Sequence, residues 1–149
     1  MKQFDAYQVT LWVHYFISVS FLIVAVWLIV RAIRGIVKDL AYVKLDKTLA
    51  YLFIIGLYLQ LLFGIILFTN LSFFGYDYQS ADGTIVTVSK RLWPIEHIVL
   101  MLFALFIANL GLIFSGKSNI GKTKHRKILI YYATAIALIA TSLASIYWL

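Results

Sequence analysis

Four long apolar segments limit the folds that this chain can adopt. The first, residues 7–30, contains no Lys, Arg, Asp or Glu and is followed at once by Arg31. Three more lie at about residues 48–70, 94–114 and 128–148. Because a helix of about 20 mostly apolar residues crosses a bilayer, each segment predicts one transmembrane helix. A 149-residue chain that is 63% hydrophobic has too much apolar surface for a soluble domain, so we expect a single all-α integral membrane domain.

The basic residues are concentrated in two of the segments that connect the predicted helices. Residues 31–47 and 115–127 together contain ten of the 13 Lys and Arg residues. Since basic loops stay on the cytoplasmic side, we expect these connectors inside, and both termini and the loop at 71–92 outside. The prediction is an up-down-up-down four-helix bundle in a bacterial inner membrane, with both termini periplasmic. This topology accounts for the net charge of +7, so we expect no nucleic-acid partner.

The loop at 71–92 is the longest polar segment, and it contains Gly and Asp residues that favour turns. Within it, residues 84–88 read Thr-Ile-Val-Thr-Val. This alternating, β-branched pattern predicts either a short strand or an extended segment at the membrane surface.

Two histidines are predicted to lie inside the apolar segments at similar depth from the outer side. His14 is about seven residues into the first segment and His97 about four into the third, or ~10 Å and ~6 Å deep. In an up-down-up-down bundle the first and third helices are diagonal, so two histidines at one level face each other. This arrangement suits a b-type haem with the two imidazoles as axial ligands. The alternative is a pair of neutral histidines that hydrogen-bond to nearby backbone or loop.

Small side chains near these histidines favour room for a planar ring. One face of the third helix presents residues at spacings of four, three, four and three: His97, Met101, Ala104, Ala108 and Gly111. Ser18 follows His14 by one turn, and Lys90 and Arg91 at the outer mouth suit haem propionates. The predicted haem site comprises His14, His97, Ser18, Met101, Ala104 and Arg91. Zinc or iron held by the two histidines and Glu96 is the alternative, for which the sequence offers no further ligand.

Other polar residues invite simpler interpretations. His125 lies in the basic run 122–127 and is predicted to lie at the membrane surface near lipid headgroups. For Tyr58, Gln60 and Asn109 we expect interhelical hydrogen bonds, with a quinone site or a proton path as the alternative. Faces of small residues predict helix packing on the second and fourth helices: Gly56, Gln60 and Gly64, and Ala133, Ala137, Ala140 and Ala144.

Several of these residues, in their order and spacing, resemble a known family. They are His14, the Gln-Leu-Leu-x-Gly-x-Ile-Leu segment at 60–67, the pair Glu96-His97 and a tryptophan near the end, Trp148. The pattern is similar to small four-helix membrane proteins of Bacteroidetes-type bacteria labelled "cytochrome B", and the resemblance covers nearly the whole chain. It implies haem binding and electron transfer. The chain departs from the family at residues 15–18, where members often have Ser-Gly-Leu-Arg-Trp after the histidine, and at Tyr58, where they often have another histidine.

Two functions are consistent with these features. The first is one-electron transfer by a haem b protein, with a quinone or a respiratory complex as partner. The second is a cofactor-free structural or accessory subunit of a larger membrane complex, suggested by the faces of small residues. The chain has no cysteine, no nucleophile–base pair and no P-loop, so we expect a carrier or a subunit rather than a catalyst on its own. A transporter ranks third, because the predicted helices contain no charged residue except Glu96 near an end.

Overall fold

Four long helices make up nearly all of the described chain. A computed structural model describes residues 6–70, 77–79, 85–87 and 93–145. The helices are α1 (Ala6–Val37), α2 (Lys44–Asn70), α3 (Trp93–Gly116) and α4 (Gly121–Ala144). Each is long and apolar enough to cross a membrane. The predicted all-α membrane bundle is therefore confirmed.

The helices continue past the predicted membrane boundaries and shorten both basic connectors to residues 38–43 and 117–120. A helix does not have to end at the membrane boundary, and α1 continues to Val37, where a C-terminal cap ends it. Asp39 adopts a left-handed conformation with φ 49°, and the Leu40 N–H donates to the Gly35 carbonyl over 3.0 Å. This pairing is the Schellman arrangement, which satisfies carbonyls that the helix end would otherwise leave unpaired.

The helices form a closed ring in which each packs against its two neighbours. α1 contacts α2 and α4, and α3 contacts the same two helices, so α1 and α3 lie diagonally opposite. The predicted diagonal placement of the two histidine-bearing helices is thus confirmed. We call the end with connectors 38–43 and 117–120 the basic end, and the opposite end, where His14 and His97 lie, the histidine end.

A stack of aromatic rings fills the centre of the bundle. Phe53 lies between Phe21 and Tyr132, with ring centroids 4.7 Å from each. The Tyr132 hydroxyl donates to the Ala50 carbonyl over 3.2 Å, which satisfies the one polar atom of a fully buried ring. Three of the four helices contribute to this stack, so it fixes their mutual distances.

Glycines mark the places where helices approach most closely. A Cβ on Gly56 of α2 would lie 2.8 Å from the Phe21 ring of α1, and one on Gly111 of α3 would lie 2.6 Å from Tyr131 Cβ of α4. A Cβ on Gly35 would overlap the His125 ring. The predicted packing face of α2 is therefore confirmed at its contact with α1.

The alanine face of α4 points the other way. Its four members are exposed on the outside of the bundle: Ala133, Ala137, Ala140 and Ala144. A different face of α4 packs inside the bundle: His125, Ile128, Tyr132, Ala135 and Ser142. The alanine face is therefore not part of the core of the bundle and lies on its outer surface.

A short hairpin lies in the loop between α2 and α3. Strand β1 (Asp77–Gln79) pairs antiparallel with β2 (Ile85–Thr87), with Tyr78 opposite Val86. The predicted strand at 84–88 is confirmed over three of its residues.

We predict that Gly35→Ala destabilises the protein by about 2 kcal/mol, because the added methyl group must displace the buried His125 ring. The measurement is thermal unfolding of the detergent-purified protein. Gly116→Ala is the matched control, since a Cβ there meets no atom within 4 Å. Alanine favours a helix over glycine, so the control should be neutral or slightly stabilised. Equal melting temperatures for the two variants would contradict the proposed overlap.

Candidate functional site

His14 lies half-buried on α1 at the histidine end, beside Gly64 of α2. Its Nδ1 atom is buried and has no hydrogen-bond partner within the part of the chain that the structure describes. Its backbone carbonyl accepts hydrogen bonds from Ser18 Oγ over 2.9 Å and from Gln60 Nε2 over 3.2 Å. The backbone of this histidine is therefore held firmly, while one ring nitrogen has no partner among the described residues.

Gln60 joins α2 to α1 through its side-chain amide. In addition to the His14 carbonyl, Gln60 Nε2 donates to Ser18 Oγ over 2.7 Å. The predicted interhelical hydrogen bond of Gln60 is thus confirmed. Ser18, predicted to line a haem site, uses its hydroxyl as both donor and acceptor in this link, so its contribution is to hold α1 and α2 together near His14.

His97 lies half-buried on α3, and its ring is held by α4. The His97 Nδ1 and Ser142 Oγ atoms are 2.6 Å apart, and Ser142 is buried. His14 and His97 both lie at the histidine end, on diagonally opposite helices. The structure therefore brings together the two histidines that the sequence singled out, and it adds a third residue, Ser142.

Sequence alone predicts no role for Ser142, because the regular spacing of alanines on another face of α4 is the stronger pattern. A signal was present, since Ser142 lies seven residues after Ala135 and continues the buried face of that helix. A buried polar side chain inside a membrane bundle needs a hydrogen-bond partner, and the partner of Ser142 is the His97 imidazole.

The face of α3 below His97, predicted to leave room for a planar ring, is buried inside the bundle: Met101, Ala104, Ala108 and Gly111. Ala104 and Ala108 belong to the main hydrophobic core. At Gly111, Tyr131 and Tyr132 of α4 take the space that the missing side chain leaves. The small side chains therefore allow close helix contact in the lower part of the bundle, where Ala104, predicted to line a haem site, packs in the core.

The remaining predicted residues are placed as follows. Arg91 and Lys90 lie outside the described residues. Glu96 is exposed on a face next to that of His97. Tyr58 is 52% exposed on the outside of the bundle, so its predicted interhelical hydrogen bond is wrong. The prediction for Asn109 is also wrong, because its amide donates to the Leu105 carbonyl of its own helix over 2.8 Å.

The prediction that His125 lies at the membrane surface is wrong. His125 is 1% exposed, and its ring packs between α4 and Gly35 of α1. Its Nε2 is 4.0 Å from Asp46 Oδ2, without a hydrogen-bond partner among the described residues, and its ring meets the edge of Tyr42 at 5.0 Å. The reason is that α4 begins at Gly121, so His125 falls on the buried face with Ile128 and Tyr132.

Asp46 forms a buried ion pair beside His125 at the basic end. Its Oδ1 accepts from Arg31 Nε over 2.8 Å, and its Oδ2 accepts from the Val43 N–H over 2.9 Å. Only about 2% of the Asp46 side chain is exposed, against 26% for Arg31. Residues 15 apart in sequence thus meet across the first connector, which sequence periodicity alone does not reveal.

Comparison of the chain with family models, with curated proteins and with solved structures gives no match. The resemblance to the "cytochrome B" proteins therefore stays a prediction. Across residues 6–70, 77–79, 85–87 and 93–145, no three His, Cys, Asp or Glu side chains come together as a metal-binding group. A zinc or iron site made of Glu96 and the two histidines gains no support. The chemistry of the histidine end depends on a pair of imidazoles.

We predict that Asp46→Asn lowers the free energy of unfolding by about 2–3 kcal/mol, because it removes the charge that balances Arg31 in a buried setting. Thermal unfolding in detergent measures the change. Asp39→Asn is the matched control, since Asp39 is exposed and asparagine tolerates its positive φ equally well. A similar loss of stability in both variants would show that the buried ion pair makes no special contribution.

Proposed function

We propose that this protein is a b-type haem electron carrier of the bacterial inner membrane, with His14 and His97 as the axial ligands. The observation that carries the proposal is the pair of half-buried imidazoles at the same end of the bundle, on diagonally opposite membrane helices. Ionisable side chains inside a membrane bundle are costly and mark functional sites. Two of them at one level, on opposite helices, suit a ligand shared between them.

The residues at the histidine end fit such a cofactor in three respects. The buried Nδ1 of His14 has no hydrogen-bond partner among the described residues, so they leave this imidazole nitrogen unsatisfied. Ser142 holds one nitrogen of His97, as hydrogen-bonding partners of metal-ligating histidines commonly do. The link between Gln60 and Ser18 holds the backbone of His14 in place. When bound, haem supplies one-electron chemistry, and its axial histidines tune its potential.

The rest of the bundle would insulate such a site from one side. Met101 is buried one helical turn from His97 toward the basic end, and Phe21 is buried two turns from His14. The aromatic stack begins at Phe21. These side chains exclude water from the centre of the bundle. By the positive-inside rule, the basic end lies in the cytoplasm, and the histidine end with both termini faces the periplasm. Electron exchange would then take place near that side, with a quinone or a respiratory complex as partner.

The test is an optical spectrum of the detergent-purified protein, recorded oxidised and dithionite-reduced. We predict a reduced band typical of six-coordinate b-haem in the wild type, and its loss in His14→Ala and in His97→Ala. His125→Ala is the control, because His125 lies at the opposite end of the bundle and should leave the band unchanged. Ser142→Ala should keep the band but lower haem affinity about tenfold, because His97 loses the partner that orients it.

Colourless wild-type protein that also fails to take up added haemin would overturn the proposal. The same conclusion would follow if the band survived both substitutions. Circular dichroism of each variant separates the loss of a ligand from the loss of the fold.

A second function is favoured by the exposed alanine face of α4. Small residues on a lipid-exposed surface allow another membrane helix to approach closely, which is how many membrane subunits assemble. In this alternative the chain is an accessory subunit of a larger membrane complex without a cofactor, and the histidine end is structural.

This alternative predicts that Ala137→Leu disrupts assembly, because the larger side chain keeps a partner helix at a distance. The measurement is the set of proteins that co-purify with the chain from native membranes in mild detergent. Val26→Leu, on the exposed face of α1, is the control and should leave assembly intact. An unchanged set of partners in Ala137→Leu would count against the alanine face as an interface.

A further inference from the structure

A cavity of about 320 Å³ lies at the basic end, where the first connector meets α2, α3 and the start of α4. This volume is near the lower limit for pockets that hold small ligands, about 300 Å³. Lys44, Lys47 and Lys124 line it, together with the hydroxyl-bearing side chains of Tyr42, Tyr51 and Ser115. The cavity is distant from the two histidines and does not depend on the function proposed for them.

The lining carries a concentrated positive charge. None of the described residues that form the wall is acidic. The nearby Asp46 carboxylate is already bound by Arg31 and by the Val43 N–H. Lys47 Nζ is 5.8 Å from the centroid of the Tyr51 ring, and Lys124 Nζ is 5.7 Å from that of Tyr42. Cation–π contacts thus keep two ammonium groups beside the cavity walls.

Hydroxyl groups add uncharged donors to these cations. Burial raises the pKa of Tyr42 to about 12, so its hydroxyl stays protonated at neutral pH. Tyr42 belongs to the first connector and Ser115 to α3, and both side chains line the cavity. Ammonium groups and hydroxyl donors around one space are the combination that recognises a phosphate group.

The surroundings of the cavity favour a lipid over a soluble phosphate compound. The cavity lies at the ends of membrane-spanning helices, since Lys44 begins one span and Gly116 ends another. Lys47, Tyr51 and Ile55 follow each other at four-residue spacing on one exposed face of α2. This face leads from the cavity into an apolar surface that acyl chains can cover. On α3 the exposed Ile113 adds apolar surface that acyl chains can cover.

We propose that this cavity binds the phosphate headgroup of an anionic phospholipid, with the acyl chains lying along the exposed faces of α2 and α3. Basic pockets between transmembrane helices are suited to such headgroups, because each lysine near the membrane surface adds attraction to an anionic lipid. A lipid held here would bridge the first connector and the α3–α4 turn.

The experiment is native mass spectrometry of the detergent-purified protein titrated with palmitoyl-oleoyl-phosphatidylglycerol, and in parallel with the zwitterionic phosphatidylcholine of the same chains. The wild type should bind one phosphatidylglycerol molecule in clear preference to phosphatidylcholine. The test variant is Lys44→Gln/Lys47→Gln/Lys124→Gln. The control is Lys38→Gln/Lys117→Gln/Lys122→Gln, which removes the same charge from exposed positions at the same end. The test variant should bind about tenfold more weakly than the control.

A second variant tests the cavity without changing the charge. Gly116 lines the cavity and has open space around its Cα, so Gly116→Trp should fold normally and obstruct the site. It should also lose the bound phosphatidylglycerol. Equal loss in the test and control lysine variants, or full binding by Gly116→Trp, would overturn the proposal. Displacement of the lipid by millimolar inorganic phosphate would assign the cavity to a soluble phosphate compound and overturn the lipid assignment.

Discussion

The basic end of the bundle depends on the interactions of the buried Asp46 carboxylate. A buried charge is tolerated only when it is paired and fully hydrogen-bonded, and here Arg31 and the Val43 N–H supply that pairing. The contact joins α1 to the start of α2 across the first connector. His125 of α4 lies against the same carboxylate, in a space that Gly35 leaves open. Three helices thus converge on one side chain, which positions the connector and the lysines at the start of α2.

The kind of contact that joins the helices changes along the axis of the bundle. At each end, polar side chains join neighbouring helices, and between them lies a centre of aromatic rings and alanines. Hydrophobic burial gives little drive to helix association inside a bilayer, so close contact and hydrogen bonds must provide it. The centre supplies the close contact, and the two ends supply hydrogen bonds and charge. The polar side chains of the interior are accordingly found at the ends, and the cavity lies at the basic end.

Much of this architecture could be predicted from the sequence, because bilayer thickness imposes a length on every apolar segment. The number of helices, the diagonal placement of α1 and α3, and the buried face of α3 all follow from segment length and residue spacing. His125 could not be assigned by the same means. Its basic neighbours suggested a surface position, whereas the start of α4 decided which face it occupies. The partners of His97 and Asp46 come from other helices, and their identity depends on how the helices rotate against each other.

The links between α1 and α2 have a consequence for how the protein meets membranes of different thickness. The pair is joined near one end by Gln60 and Ser18, and near the other by Arg31 and Asp46. On α1 these two points are about 20 Å apart along the helix axis. Two polar links at that separation prevent either helix from sliding along the other. A thinner or thicker bilayer is then matched by tilting α1 and α2 together as one body.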